Sequence, residues 1–393
     1  MGHPLEPLSL SEIEECVRIV KAAQEDVRFE RVELKEPAKA LVRAGASVER
    51  EARCVVYKLG SIGAWVYDVR LATGATKVEY FPGAKPMIQA EEMDEIEAVV
   101  KSNADFVAAC EKRGVTDMEL VCVDAWSSAG EWPEKEDEKG RHISHTFAWA
   151  KTSKFDNLFA HPIEGVCAVV DIKAREVLRV DDYGIVPVPW TEINYDRSFV
   201  KETRRDLRPI EITQPEGTSF KLDGWQLTWA GWSLTVGFNA REGLTLHDLR
   251  FRDRSVVYRA SLAEMVVPYG TPEGGHYRKN VFDVGEYGIG ALTNSLELGC
   301  DCLGAIAYLD GHVVTMSGGT RTIKNAVCIH EEDTGILWKH YDYRTKRTET
   351  RRGRRLVVST VATVGNYEYG SFYYLTLDGA LEFEIKATGI ILG

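Results

Sequence analysis

The sequence predicts an α+β protein: two small α+β domains in tandem, then a large antiparallel β-sandwich that is cut short. Three observations predict it. A helix-period segment followed by alternating apolar runs occurs twice in residues 1–183. A proline-containing stretch with little periodicity follows. From Thr218 onward the chain is almost entirely short alternating runs separated by glycine-containing turns. A length of 393 residues leaves room for two or three domains, each with its own core.

Residues 9–24 carry Ile13, Cys16, Val17, Val20 and Ala23 at helical spacing, and Ser11 three residues before Glu14 reads as a capping box. From Phe29 to Phe81 the pattern becomes alternating, as in Cys54-Val-Val-Tyr-Lys-Leu and Ala64-Trp-Val-Tyr-Asp-Val-Arg-Leu. This predicts one helix laid on an antiparallel sheet, with the first domain over residues 1–88. The order repeats over 89–183. A helix is expected across Glu91–Arg113, with Met93, Ile96, Val99, Val100, Ala104 and Val107 on its apolar face, followed by strands near Glu119-Leu-Val-Cys-Val, His145-Thr-Phe-Ala-Trp and Val166-Cys-Ala-Val-Val-Asp. Pro187, Pro189, Pro209 and Pro215 mark 184–216 as a linker. Residues 217–393 read as the N-terminal part of the sandwich, without helices and with turns at Asp223-Gly, Glu242-Gly, Asp310-Gly and Asp378-Gly.

Against 48 Lys and Arg stand 60 Asp and Glu, a net charge of -12. Such a field repels polyanions, so no nucleic-acid partner is expected, and it favours cationic small molecules. The start of the chain has no basic segment leading into an apolar one, and no uninterrupted apolar run approaches about 18 residues. We therefore expect no membrane span and an intracellular location, cytoplasmic or peroxisomal, although the final Ile-Leu-Gly is no peroxisomal tripeptide. Met1-Gly2 is a poor myristoylation start given His3, Pro4 and Glu6. Cys16, Cys54, Cys110, Cys122 and Cys167 lie among apolar neighbours and read as core residues. Cys300-Asp-Cys302 with Cys328-Ile-His330 offers three thiols and an imidazole, a possible zinc set with tight spacings. His142-Ile-Ser-His145, which in a strand sends its rings to opposite faces, reads as a surface feature.

Three further segments stand together: Val266-Val-Pro-Tyr-Gly-Thr-Pro-Glu, Val281-Phe-Asp-Val-Gly-Glu-Tyr-Gly-Ile-Gly and Thr363-Val-Gly-Asn-Tyr-Glu-Tyr. In order and spacing they closely resemble the copper amine oxidases, whose cofactor is made from one of the enzyme's own tyrosines. The resemblance runs through essentially the whole chain, including Asp124-Ala-Trp, Phe159-Ala-His-Pro-Ile-Glu-Gly, Gln214-Pro-Glu-Gly-Thr-Ser-Phe, Leu298-Gly-Cys-Asp-Cys-Leu-Gly and Asn325-Ala-Val-Cys-Ile-His-Glu-Glu-Asp. Taken singly, a tyrosine in a strand or an aspartate before Val-Gly is ordinary packing or turn chemistry; the conjunction carries the resemblance.

The resemblance implies oxidation of a primary amine by O₂ to an aldehyde, ammonia and hydrogen peroxide. Tyr367 would be the precursor of topaquinone, and Asn366 would hold its ring in the productive rotamer. Asp283 would be the base that removes the α-proton of the condensed substrate, which works best with a pKa raised by an apolar pocket. Tyr269 would hydrogen-bond the quinone oxygen, and Trp126 and Val281 match positions lining the substrate channel. Cys302 and Cys328 would form a disulfide, leaving Cys300 free. The family's copper is held by a His-x-His pair and another histidine downstream of the cofactor tyrosine. Here none of the nine histidines follows Tyr367 and none forms His-x-His. The copper ligands are therefore expected outside this chain, on a partner carrying the C-terminal half, within a dimeric or higher assembly. The chain alone is expected to be inactive. The competing expectations are a processed piece of a longer protein, or a truncated non-oxidase descendant that serves as a binding or structural protein or runs a different reaction in the old pocket.

Overall fold

In the computed structural model of the chain, residues 3–127, 135–200, 204, 206–272 and 274–392 are described, so the Met1-Gly2 start lies outside the described residues. Strands pair with their neighbours in sequence throughout, in sheets of four, four, five, two and five strands. The first sheet comprises β1 (Arg28–Lys35), β2 (Glu51–Tyr57), β3 (Gly63–Arg70) and β4 (Thr76–Pro82). Helix α1 (Leu10–Ala23) buries Ile13, Cys16, Val17 and Val20 against Phe29, Val32, Cys54 and Val56 of that sheet. Its capping box lies two residues earlier than the spacing of Ser11 and Glu14 suggested. Ser9 is the N-cap, accepting from the Glu12 amide, while the Glu12 carboxylate accepts from the Ser9 amide. The register is set by Leu8 and Ile13, which flank the cap and enter the same core as a hydrophobic staple. Between β1 and β2 a short exposed helix, α2 (Lys39–Arg43), replaces part of the expected strand-rich run.

The second unit has α3 (Ala90–Lys101), α4 (Ala104–Glu111), β5 (Val121–Ser127), β6 (Ile143–Ala150), β7 (Val166–Asp171) and β8 (Glu176–Asp182). The single helix expected over Glu91–Arg113 is thus two. Asn103 breaks it by accepting from the Asp105 and Phe106 amides, a local bond that starts a new helix instead of continuing the old one. The bend allows Ile96 and Val100 of α3 and Phe106 and Cys110 of α4 to enter one core with Val123, Ala148 and Val170. His142 and His145 are not at the surface. Both are buried because each face of β6 is covered, and His145 lies 2.5 Å from Arg278 and 3.7 Å from Glu138. Burial lowers both imidazoles, His145 to about 4.

No helix or strand is present between β8 and residue 221 among the described residues. Then come β9 (Lys221–Asp223), β10 (Gln226–Trp229), β11 (Trp232–Asn239), β12 (Gly243–Phe251) and β13 (Arg254–Ser261), a ribbon of β14 (Val266–Pro268) and β15 (Asn280–Phe282), and β16 (Ala307–Val314), β17 (Thr320–Asp342), β18 (Arg347–Val364), β19 (Tyr367–Thr376) and β20 (Leu381–Gly389). The two five-stranded sheets share one core, in which Trp232, Val236 and Leu246 meet Val327, Ile329, Leu356 and Leu375. Asp310-Gly311 is a bulge inside β16, not a turn. A Cβ on Gly311 would lie 2.5 Å from the Phe238 ring, so the close approach of that aromatic requires glycine. Beyond Arg355, β17 and β18 continue as a two-stranded arm out to the pair Asp342 and Arg347. No helix is long and apolar enough to cross a membrane among the described residues.

Candidate active site

Tyr367 is the first residue of β19, directly after the two-residue turn Gly365-Asn366 that joins it to β18, with Val364 paired to Tyr367. Gly365 has φ +59°, the left-handed conformation that a glycine-first hairpin turn needs. Asn366 is buried. Its side-chain amide donates to the Ile390 carbonyl at 2.6 Å, while the Asn366 carbonyl accepts from the Ile390 amide at 2.7 Å. The Tyr367 and Tyr269 side chains line the same cavity and influence each other there. Burial first, and the neighbouring Tyr367 phenol second, push the Tyr269 phenol well above its ordinary range, so it stays protonated. The Tyr269 ring stands edge-on to Trp126, with centroids 5.4 Å apart.

Asp283 follows β15 and is 2% exposed. Its amide donates to the Met265 carbonyl, and the next loop is held by Glu264, which accepts from the Val284 and Gly285 amides. Burial pushes the Asp283 carboxyl up to about 7; a hydrogen bond from Tyr369 opposes the rise, and the carboxylates of Glu286 and Glu264 add to it. Tyr287 is buried, with its hydroxyl accepting from the Ser127 amide at 2.9 Å.

These groups border one cavity of about 110 Å³. All six positions named from the sequence line it: Trp126, Tyr269, Val281, Asp283, Asn366 and Tyr367. Three titratable lining residues were missed: Asp124, Tyr287 and Tyr369. The position of Tyr369 was available from periodicity, since residues two apart in a strand share a face. Asp124 carries the same signal relative to Trp126, whereas Tyr287 lies in a loop that no local pattern places. The cysteines lie elsewhere. Cys302 and Cys328 are free thiols in one buried cluster with Leu296, and Cys300 is exposed. The influence of each thiol on the other holds Cys302 down at about 7 and pushes Cys328 up, and the Cys328 sulfur is 3.4 Å from His330 Nδ1. Among the described residues no group of three or more His, Cys, Asp or Glu is arranged to hold a metal ion.

Family models match most of the chain: the copper amine oxidase N2 domain over residues 3–70, the N3 domain over 91–199 and the copper amine oxidase enzyme domain over 221–393. The chain belongs to the copper amine oxidase family. It is 46% identical over 400 residues to a primary amine oxidase of Arthrobacter sp. (strain P1), a match covering 100% of this chain and 61% of that protein. It is 37% identical over 443 residues to the peroxisomal N-methylputrescine oxidase 1 of Nicotiana tabacum, covering 99% of this chain and 56% of that protein. Among solved structures it is similar to a copper-containing benzylamine oxidase from Hansenula polymorpha, with a TM-score of 0.88, 31% identity and coverage of 99% of this chain and 65% of that one. The chain thus spans about three fifths of the length of the relatives it matches. Membership of the copper amine oxidases implies copper and topaquinone as cofactors. The Tyr367 side chain, lining one cavity with Tyr269 and Asp283, fits a cofactor built from that tyrosine.

Proposed function

We propose that these residues form the amine-binding and quinone-bearing part of a primary-amine oxidase that converts RCH₂NH₂, O₂ and H₂O to an aldehyde, ammonia and H₂O₂. One observation carries the reading: Tyr269, Asp283 and Tyr367, remote in sequence, meet at one cavity where the carboxyl titrates near neutrality. A quinone made from Tyr367 with copper and O₂ would supply an electrophilic carbonyl and take up two electrons from the amine. The surrounding residues bind and move protons. Val267, Val281 and Leu292 offer an apolar wall to the substrate's carbon chain. Asp283, near its midpoint at neutral pH, takes the proton from the substrate α-carbon, and Tyr369 orients its carboxylate. Tyr269 holds the ring oxygen at position 367. Asn366 acts through the turn that it ties to Ile390, and so sets the ring's position through the backbone. We place the copper ligands in polypeptide outside this sequence, on a C-terminal-half partner or a continuation, and route no step through them.

A polypeptide of residues 1–393 alone is expected to be colourless, to give no phenylhydrazine adduct and to release no peroxide from any primary amine. Supplied with copper(II) and a segment bearing the missing histidines, it is expected to gain quinone absorption, with the mass change located at Tyr367. A completed, copper-loaded protein whose Tyr367 stays unmodified would favour the non-oxidase descendant.

We also read the two five-stranded sheets as the first part of a β-sandwich, and the assembly as dimeric or higher. The exposed side chains of Ile336, Leu337, Trp338, Tyr341 and Tyr343 on the β17–β18 arm support the assembly, as does β20, which pairs on one side only and is exposed along nearly all its length. Sedimentation as a well-behaved 44.0 kDa monomer would count against it. An intracellular location, cytoplasmic or peroxisomal, accords with the peroxisomal tobacco relative. Finally, Cys302 and Cys328 are proposed to close as a disulfide. Peptide mapping after alkylation is expected to recover them joined, whereas stoichiometric zinc whose removal unfolds the protein would reverse that assignment.

A further inference from the structure

Lys279 stands between the turn Gly274–Arg278 and β15, and the Tyr269 amide donates to its carbonyl at 3.1 Å. Its side chain is taken inside. Lys279 is 6% exposed, and no hydrogen bond or ion pair holds its ammonium among the described residues. Aromatic faces enclose it instead. The ammonium nitrogen lies 4.6 Å from the centre of the Phe147 ring and 5.6 Å from those of Trp126 and Tyr269. The rings also meet one another, Trp126 standing edge-on to Phe147 at 5.2 Å and to Tyr269 at 5.4 Å between centroids. Trp126 and Tyr269 line the cavity that holds Tyr367, whereas Phe147 lies outside it on β6. A cation over an aromatic face is attracted by the ring's quadrupole, more strongly where water is excluded. One ammonium thus draws together rings from β5, from β6 and from the residue after β14.

We propose that Lys279 is a positioning residue, whose ammonium clamps the Trp126 and Tyr269 rings against Phe147 and so fixes the wall that Tyr269 presents to position 367. The clamp follows from the rings; its service to a quinone rests on the oxidase reading above. The other charged or titratable groups packed around Lys279 are Glu164 before β7, His276 and Arg278 of its own segment, Tyr269, and His145 of β6, which with Glu138 bonds Arg278. Burial pushes the ammonium down to about 8, and Glu164 opposes the fall, so the clamp is closed at neutral pH and releases as the pH rises through 8. On the cavity side Asp124 and Asp283 titrate lower, at about 6 and about 7, and His145 at about 4.

The test is fluorine NMR of the full chain labelled with fluorotryptophan, from pH 6 to pH 10, in which the Trp126 signal is the one that Trp126→Phe removes. Indole carries no titrating group of its own in that range, so the signal reports its surroundings. The wild type is expected to give one narrow line that shifts with a midpoint near pH 8. Lys279→Met is expected to lose that step and to broaden or split the line, as the unclamped ring exchanges between positions. Lys279→Arg, charged across the whole range, is expected to restore the narrow line without the step. Melting curves establish that each variant is folded. A wild-type line with no step near pH 8 overturns the proposal without any variant, and so does a step that survives either substitution. A line as narrow in folded Lys279→Met as in the wild type also overturns it; should that variant not fold, the wild-type and Lys279→Arg titrations still decide. None of these readings needs a quinone, so their failure leaves the oxidase reading to be judged by quinone formation at Tyr367 in the completed protein.

Discussion

Asp283→Asn is expected to make the protein more stable above pH 7 and, in the completed oxidase, to abolish amine turnover while leaving the quinone in place. The stability effect follows from burial. The folded chain holds the Asp283 carboxyl at about 7, above its unfolded value, so folding favours the protonated form. That contribution is fully present below the unfolded pKa of about 4 and is lost as the pH rises through 7. Asparagine carries no charge to bury and still offers an oxygen to Tyr369. The variant's advantage should therefore be small at pH 4, grow between 4 and 7, and reach on the order of 4 kcal/mol by pH 8. Urea unfolding at several pH values measures it, and parallel curves for the two proteins would sink the idea. The catalytic effect has a separate origin. Without a base at the α-carbon, peroxide release is expected to fall by roughly 10² to 10⁴. Phenylhydrazine labelling of Tyr367 should persist, because adduct formation does not require that proton transfer.

Lys173→Met is expected to cost about 3 to 5 kcal/mol of stability. Lys173 and Glu92 are 2% and 0% exposed, with nitrogen and oxygen 2.7 Å apart, and the ammonium also sits 3.8 Å from the centre of the Tyr57 ring. Three pieces of chain meet here: the end of β2, the start of α3 and the segment after β7. Removing the lysine leaves the Glu92 charge buried with Arg175 as its remaining ion-pair partner at 3.2 Å, beside the Gln89 amide that it also accepts from. The double variant Glu92→Gln with Lys173→Met should recover part of the loss, since no buried charge is then stranded. Denaturant midpoints at constant slope provide the comparison. A cost below about 1 kcal/mol for the single variant would mean that Arg175 or water replaces the ammonium.

Much of the site was legible because its residues occur in short segments with distinctive order. Tyr367 after Gly365-Asn366, Asp283 before Val284-Gly285 and Tyr269 after Pro268 each occupy the end of a strand or a turn, where local chemistry dictates the backbone. Helix α1 and most strands were equally legible from side-chain period. The cap of α1 was placed two residues late and the break at Asn103 was not expected, because the choice fell to whichever register buried the apolar neighbours, Leu8 and Ile13 in one case and Phe106 and Cys110 in the other.

By itself, the sequence determined the order of elements, the alternation of faces along each strand and six of the residues that line the cavity, because these depend on contacts or motifs within a few residues. Only the tertiary structure decided what each side chain faces. His142 and His145 become interior because distant segments cover both sides of β6, Tyr369 turns toward Asp283 across 86 positions of chain, and Asp124 reaches the same cavity from β5. Burial and pairing set charge state, and both arise from packing between segments remote in sequence, which a local pattern does not encode.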